Sequence, residues 1–460
     1  MLALDGVASR RVVAVIIAVV GVSLVPVCGA DQHALADVER LALKSDHAAS
    51  SAEAGRWTPD EPSIVAQNDA VPLSSTLREL LAYADRHSPK LAGAAAETRA
   101  AEARIGSAGA LDDPMLRIEP EDILYDGLEL SPAQVDRTRY QLMQDLPWSG
   151  KRTLRRDIAS AEAEQSAAAF RRERSGLRRE IRMAYADWRE AEGRLRVLEE
   201  VEAILADAEA VARTRYTAGL APQGDVLRAQ LELSNIESER LELIAGAQAA
   251  KAQLNGLIGR RSDANLQPPT DDVLEALPAL RPAEHRLVAG APEIEAAAAL
   301  ERAADTRNAL TLRERWPDLR VGVSAMQRGS EIDEWGLMLE LNLPLQQARR
   351  RADEAESAAM RDAAWSLREE AVVRALAGLR QAHAQASGAL AQRDLIEHTL
   401  EVQAQLTLTA ALAAYHTGAA DFLGVIDATL QKMQIRIAAI AATADYDRWL
   451  AEFLDYLGEA

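Results

Sequence analysis

The stretch that decides the fold is "RYTAGLAPQGDVL", Arg215 to Leu227, because the chain says nearly the same thing again at "AYHTGAADFLGVI", Ala414 to Ile426. Each copy has a tyrosine, a glycine three residues later, a short run of small residues and an apolar pair that opens a helix. Tyr216 pairs with Tyr415, Gly219 with Gly418 and Val226 with Val425, always 199 residues apart. Glycine permits a chain reversal because it takes φ > 0 without a Cβ clash. The two stretches therefore predict two helix-to-helix turns in a duplicated chain.

Working outward from the first turn, Leu177, Ile181, Ala184, Trp188, Ala191, Leu195 and Leu198 recur at steps of four and three, a heptad-like seam. The helix that carries them starts after "PWSGKR" (147–152) and reaches about Tyr216. Some 65 helical residues at about 1.5 Å each span roughly 100 Å. A second helix returns from Asp225 to about Ile258 and stops at Gly259. Upstream, "MLRIE" (115–119) puts Leu116 and Ile118 on one face, and "YQLMQDL" (140–146) does the same with Tyr140, Leu142 and Leu146. A period of two means strand. An acidic loop with Glu121, Asp122, Asp126, Glu129 and Asp136 lies between them.

The same order then repeats. "APEIEAAAALERAADTRNALTLRERW" (291–316) echoes "SPKLAGAAAETRAAEARI"; "DLRVGVSAM" (318–326) and "WGLMLELNLP" (335–344) are strands; Pro344 matches Pro147 and Gly458 matches Gly259. The unit is helix, strand, strand, long helix, turn, helix. Residues 1–30 read as an export signal, 31–75 as a flexible lead-in, 76–265 as the first repeat, 266–285 as a proline-rich connector and 286–460 as the second repeat. The fold class is mainly α with a small β part.

Composition agrees. The 460 residues are 48% hydrophobic but only 4% aromatic, and alanine supplies the largest share of the apolar count, which favours long, closely packed helices over a compact core. The net charge is −19 and no basic patch carries interleaved aromatics, which argues against nucleic acid as a partner. The sequence holds no HExxH, phosphate loop or nucleophile elbow. Gly219 and Gly224 follow a helix instead of a strand, so they are no dinucleotide motif. His383 and His398 stand too far apart on one helix to share a metal. No enzyme activity, cofactor or metal site is expected, and charged runs such as Arg178, Arg179, Glu180 and Arg182 read as solvated surface.

Arg10 and Arg11 precede the apolar run Val12 to Val20, then Pro26 and small residues, the build of a signal ending at Ala30 or Ala36. The other reading, an inner-membrane anchor, is weakened by two glycines and a proline within a barely sufficient span. Cys28, the only cysteine, is either lost with the signal or a lipidation site.

Four strands leave two open edges, which a bilayer does not tolerate. In the last strand Leu337, Leu339, Leu341 and Leu343 alternate with Met338, Glu340 and Asn342, a wall with lipid outside and water inside. Trp316 and Trp335 flank the second strand pair and Tyr125, Tyr140 and Trp148 the first, as interfacial aromatics do. Closure then needs several copies, and three would give twelve strands around a lumen.

The tandem order, the junction "DLPWSGKRTLRRDIASAEAEQ" and "RYTAGLAPQGDVLRAQLEL" with its second copy resemble the TolC family of outer-membrane efflux ducts over about residues 75–460. "DDPMLRIEP" (112–120) with the Gly-Lys-Arg junction resembles its heavy-metal, CzcC-like branch. The resemblance implies a homotrimer in outer-membrane lipid, with a twelve-stranded β-barrel continued by a periplasmic α-helical barrel. It also implies a periplasmic adaptor and an inner-membrane pump of RND type as partners. Tyr216, Gly219, Leu220, Tyr415 and Gly418 would form the docking tips, and Tyr415 with Asp421 a gate. Asp421 also reads as an N-cap of the returning helix. The rival, a periplasmic coiled-coil adaptor or structural protein without a pore, would carry one hairpin where this chain has two.

Overall fold

The computed structural model describes residues 76–121, 137–269, 274–329, 331–417, 419 and 421–460. The export signal, Cys28, the lead-in, Tyr125, most of the acidic loop and Gly418 lie outside the described residues. In chain order the elements are α1 (Leu77–His87), α2 (Pro89–Ala108), β1 (Met115–Glu121), β2 (Arg137–Leu146), α3 (Lys151–Thr217) and α4 (Gln223–Leu257). The second set is α5 (Leu280–Gly290), α6 (Pro292–Arg313), β3 (Leu319–Arg328), β4 (Glu331–Leu341), α7 (Gln347–Leu395), a π-helical turn (Ile396–Leu400), α8 (Glu401–His416) and α9 (Phe422–Leu457). The duplicated order is as expected. The strands and the helices form two separate compact units.

The strand unit is one antiparallel sheet in the order β1-β2-β3-β4. Its register sorts the residues into rows. Leu116, Leu142, Val323 and Leu337 form one row, and Ile118, Tyr140, Ala325 and Trp335 the next. On the opposite face Arg117, Gln141, Ser324 and Gly336 form one row, and Glu119, Arg139, Met326 and Glu334 another. Tyr140 and Trp335 thus sit inside strands and do not flank them. β2 and β4 begin earlier than apolar alternation shows, because their first residues, Arg137–Arg139 and Glu331–Glu334, are polar apart from Ile332. Leu343 lies past the end of β4.

In the helical unit, α3 is one helix of 67 residues, about 100 Å at helical rise. Of its expected seam, Leu177, Ile181, Ala184, Trp188, Ala191 and Leu198 are buried and Leu195 half-buried. The first-repeat cluster sets this seam against Leu80, Ala84 and Leu91 of α1–α2 and Leu254 of α4. The second cluster reproduces it with Ala375, Leu379, Ala382, Ala386 and Ala389 of α7 against Ala283, Leu287, Ile294 and Phe453. A third cluster joins the two hairpins: Val197, Leu198, Leu205 and Val226 pack with Phe422, Ile426 and Met433. α5 starts at Leu280, inside the stretch read as connector; Pro282 fits its first turn, where an N–H has no helical partner anyway.

The copies are not in constant register. Leu177 to Ala191 and Ala375 to Ala389 are 198 positions apart, and so are buried Leu198 and Ile396. Buried Leu205 and Ala404, like the tip tyrosines, are 199 apart. The second repeat therefore holds one extra residue between Ile396 and Ala404, and the π-helical turn Ile396–Leu400 absorbs it. A regular helix would have rotated the apolar stripe off the core by the angle of one residue. That is why the single long helix expected to reach Tyr415 is broken into α7, π-turn and α8.

The expected solvated charges on α3 are instead ion pairs with other helices and with the connector. Arg179 Nη1 donates to Glu452 Oε2 at 2.9 Å, and Arg182 Nη1 to Glu275 Oε2 at 2.8 Å. Arg448 on α9 binds Asp187 and Glu190, and Arg436 binds Glu200. On the other side, Glu162, Glu164 and Arg171 of α3 pair with Arg307, Arg302 and Glu295 of α6. Among the described residues no helix is long and apolar enough to cross a membrane.

Candidate functional site: a two-faced sheet and two hairpin tips

The sheet is the first functional feature. Leu116, Ile118, Trp335, Leu337, Leu339 and Leu341 all lie on the apolar face and are all exposed, Leu337 to 86%. Soluble proteins do not leave such a patch bare. The other face carries Asp145, Arg320 and Glu340 in one row, with Arg320 bonded to both acids. Below them Met143 is packed against Gly322, where a Cβ would stand 3.1 Å from Met143 Cγ. β1 and β4 end the strand order, each with one side unpaired by the described chain. Leu337, Leu339 and Leu341, read from the sequence with Leu343 as a lipid-facing row, share this exposed face.

The junction into α3 is built on Lys151. Its ammonium is buried and donates to Asp318 Oδ1 at 2.8 Å and to the Trp316 carbonyl at 2.9 Å. The Trp148 N–H donates to the same Asp318 oxygen, and the Trp148 and Trp316 rings stack at 5.4 Å and 8°. Gly150, at φ +89°, makes the bend that aims Lys151 inward. Alanine stands at 348, where a second copy of Lys151 would fall by the Pro147–Pro344 match, so duplication gave no signal for this strut.

The tips are the second feature. Gly219 is left-handed at φ +71°; its N–H bonds the Tyr216 carbonyl, and the Leu220 N–H bonds the Arg215 carbonyl at 2.8 Å. This is a Schellman turn. Its second copy shows the matching bond from the Ala419 N–H to the Ala414 carbonyl, also 2.8 Å. Tyr216 is 44% and Leu220 70% exposed, so one hairpin presents an apolar point. Tyr415 is half-buried instead: its ring leans on Phe422 at 5.7 Å and lies 4.7 Å under the Arg215 guanidinium. Arg228 and Asp427 also face across the hairpins at 4.0 Å. Asp421 caps α9, its Oδ1 accepting from the Gly424 N–H at 3.1 Å. The sequence could not pair Arg215 with Tyr415, because they belong to different repeats.

One group at the junction of α7 and the π-turn escaped the sequence reading. Asp394, Glu397 and His398 each offer a ligand atom within 4.8 Å of the others. The signal was the spacing i, i+3, i+4 on one helical face, not a pair of histidines. His383, by contrast, packs on Phe453.

A family model described as outer membrane efflux protein matches residues 80–260. Comparison with curated proteins finds no match. Among solved structures, the outer membrane protein VceC from Vibrio cholerae is similar at 19% identity and a TM-score of 0.72, over 84% of this chain and 96% of that one. The outer-membrane channel OprN gives 20% and 0.74, over 88% and 98%. The open state of the MtrE outer membrane channel of Neisseria gonorrhoeae gives 18% and 0.70, over 83% and 88%. These likenesses show a shared fold with outer-membrane channels, and the match to the outer membrane efflux protein model lies on the first repeat.

Proposed function

We propose that the chain is the passive outer-membrane duct of a tripartite efflux system. The two-faced sheet with unpaired edges carries this reading. A sheet of that kind reaches low energy only when copies complete its hydrogen bonds, lipid covers the leucine face and water fills the other. Three copies close twelve strands, and the helical hairpins of the trimer form a periplasmic barrel. The exposed tip at Tyr216, Gly219 and Leu220, with its copy at Tyr415 and Gly418, receives a periplasmic adaptor, and an RND-type inner-membrane pump drives transport. Tyr415 and Asp421 narrow the entrance. Residues 1–30 direct export, with Cys28 either removed or lipidated. The resemblance of "DDPMLRIEP" and the Gly-Lys-Arg junction to the heavy-metal branch supports metal cations as cargo.

Membrane fractionation with a heat-modifiability gel tests the duct. An SDS-resistant oligomer in the outer-membrane fraction is expected; a soluble monomer would refute it. Loss of the chain should sensitise cells to the cargo, and unchanged tolerance of zinc, cobalt and copper salts would remove metals from the reading.

A further inference from the structure

We propose that Asp394, Glu397 and His398 form a binding site for one divalent transition-metal ion at the π-turn of the second repeat. The donors are an imidazole and two carboxylates, a set that suits zinc, nickel or copper better than the hard, all-oxygen ions. Their ligand atoms already lie within 4.8 Å of one another. The imidazole is oriented for the task. His398 Nδ1 stands 3.0 Å from the Asp394 carbonyl oxygen. A carbonyl only accepts, so Nδ1 carries the proton and Nε2 keeps its lone pair. A backbone carbonyl fixing the tautomer in this way is the usual second partner of a metal-bound histidine.

The location argues for more than chance. The group sits where the second repeat carries its extra residue, and His398 and Glu397 lie within the π-turn that absorbs it. Such insertions disrupt helical hydrogen bonding and are frequent at functional sites. In α3 the offset of 198 that holds up to Ile396 places Arg196, Glu199 and Glu200 at these positions, so the first repeat has an arginine for Asp394 and no imidazole. Asp394, just before the turn, and His398, within it, are bridged by the same ion. Binding therefore holds the wide turn in place against slipping to regular helix.

One cation competes. Arg393 Nε donates to Glu397 Oε1 at 2.8 Å, and Glu397 lines a groove of about 570 Å³ with Arg393, Arg436 and Glu200. The guanidinium occupies one carboxylate oxygen and opposes a second positive charge. This yields a gain-of-affinity test that non-specific surface binding does not share.

The probe is ZnCl2 titrated calorimetrically into the detergent-solubilised full chain. One saturable site per protomer is expected. His398→Ala should weaken it at least about tenfold, the effect of losing roughly 1.4 kcal/mol of binding. Arg393→Gln should tighten it, and His285→Ala, on exposed α5 surface, should leave it unchanged. Zn2+ should also slow amide exchange across residues 396–404 in the wild type and not in His398→Ala. Absence of saturable binding, or equal affinity in wild type and His398→Ala, overturns the site. The inference does not depend on the cargo, and its failure leaves the duct reading intact.

Discussion

Three left-handed glycines allow the backbone and crowding costs of this fold to be separated. Gly219, Gly259 and Gly458 have φ of +71°, +78° and +73°, so each L-residue substitution meets the same backbone strain. That strain is about 1–2 kcal/mol for alanine. The surroundings differ. A Cβ at Gly219 would meet nothing within 4 Å. At Gly259 it would stand 3.0 Å from Pro89 Cδ and 3.1 Å from the His87 carbonyl oxygen. At Gly458 it would stand 2.8 Å from both Cδ and Cγ of Pro292, a ring that cannot rotate aside. Overpacking of that kind adds about 1–3 kcal/mol. Gly219→Ala should therefore cost about 1–2 kcal/mol and Gly458→Ala about 2–5, with Gly259→Ala between them. The assay is denaturation followed by far-UV circular dichroism, at one detergent and one protein concentration. Equal losses in all three would refute the crowding argument, and a neutral Gly458→Ala would refute the left-handed one as well.

Three further outcomes follow from the tips and the ion pairs. Asp421→Ala removes the cap of α9, costing about 1 kcal/mol, whereas Asp421→Asn keeps it and removes only the charge. If the charge narrows the entrance, both variants raise single-channel conductance and lessen cation block; if only the alanine variant changes anything, Asp421 is a cap alone. Arg215→Gln removes a cation–π contact of about 0.5–1 kcal/mol, so the open fraction in planar bilayers should rise roughly two- to fivefold per protomer, with Arg215→Lys nearer wild type. An unchanged open fraction would exclude this contact from gating. Asp85 accepts two bonds from Arg174, at 2.8 and 2.7 Å, which hold its carboxyl below its ordinary value of 3.8 against the opposing effect of burial. Its contribution is thus complete above pH 3.8 and is lost as pH falls through the lower folded value. Asp85→Asn should flatten that acid-side loss of stability; a pH profile identical to wild type would show that the pair contributes nothing.

What the sequence disclosed depended on repetition and period. The seam from Leu177 to Leu198 and the alternation from Leu337 to Leu341 were legible, because helix and strand periods are written directly in apolar residues. The turn at Gly219 was legible because it occurs twice. The π-turn was not: one extra residue within a long alanine-rich helix leaves no composition signal, and only the buried positions on either side reveal the shift. Nor was Lys151, whose burial rests on Asp318 far along the chain. The charges on α3 looked solvated because their partners, Glu452, Asp447 and Glu295, lie in the other repeat.

The sides of β1 and β4 that no described strand pairs have a consequence for heredity as well as for folding. In the proposed duct the outermost backbone bonds of each sheet come from a neighbouring molecule, so the quality of an assembly is set by its worst member. A variant that folds its helices yet spoils one strand edge would enter mixed assemblies and disable them. Such alleles should be dominant, and a simple deletion should not.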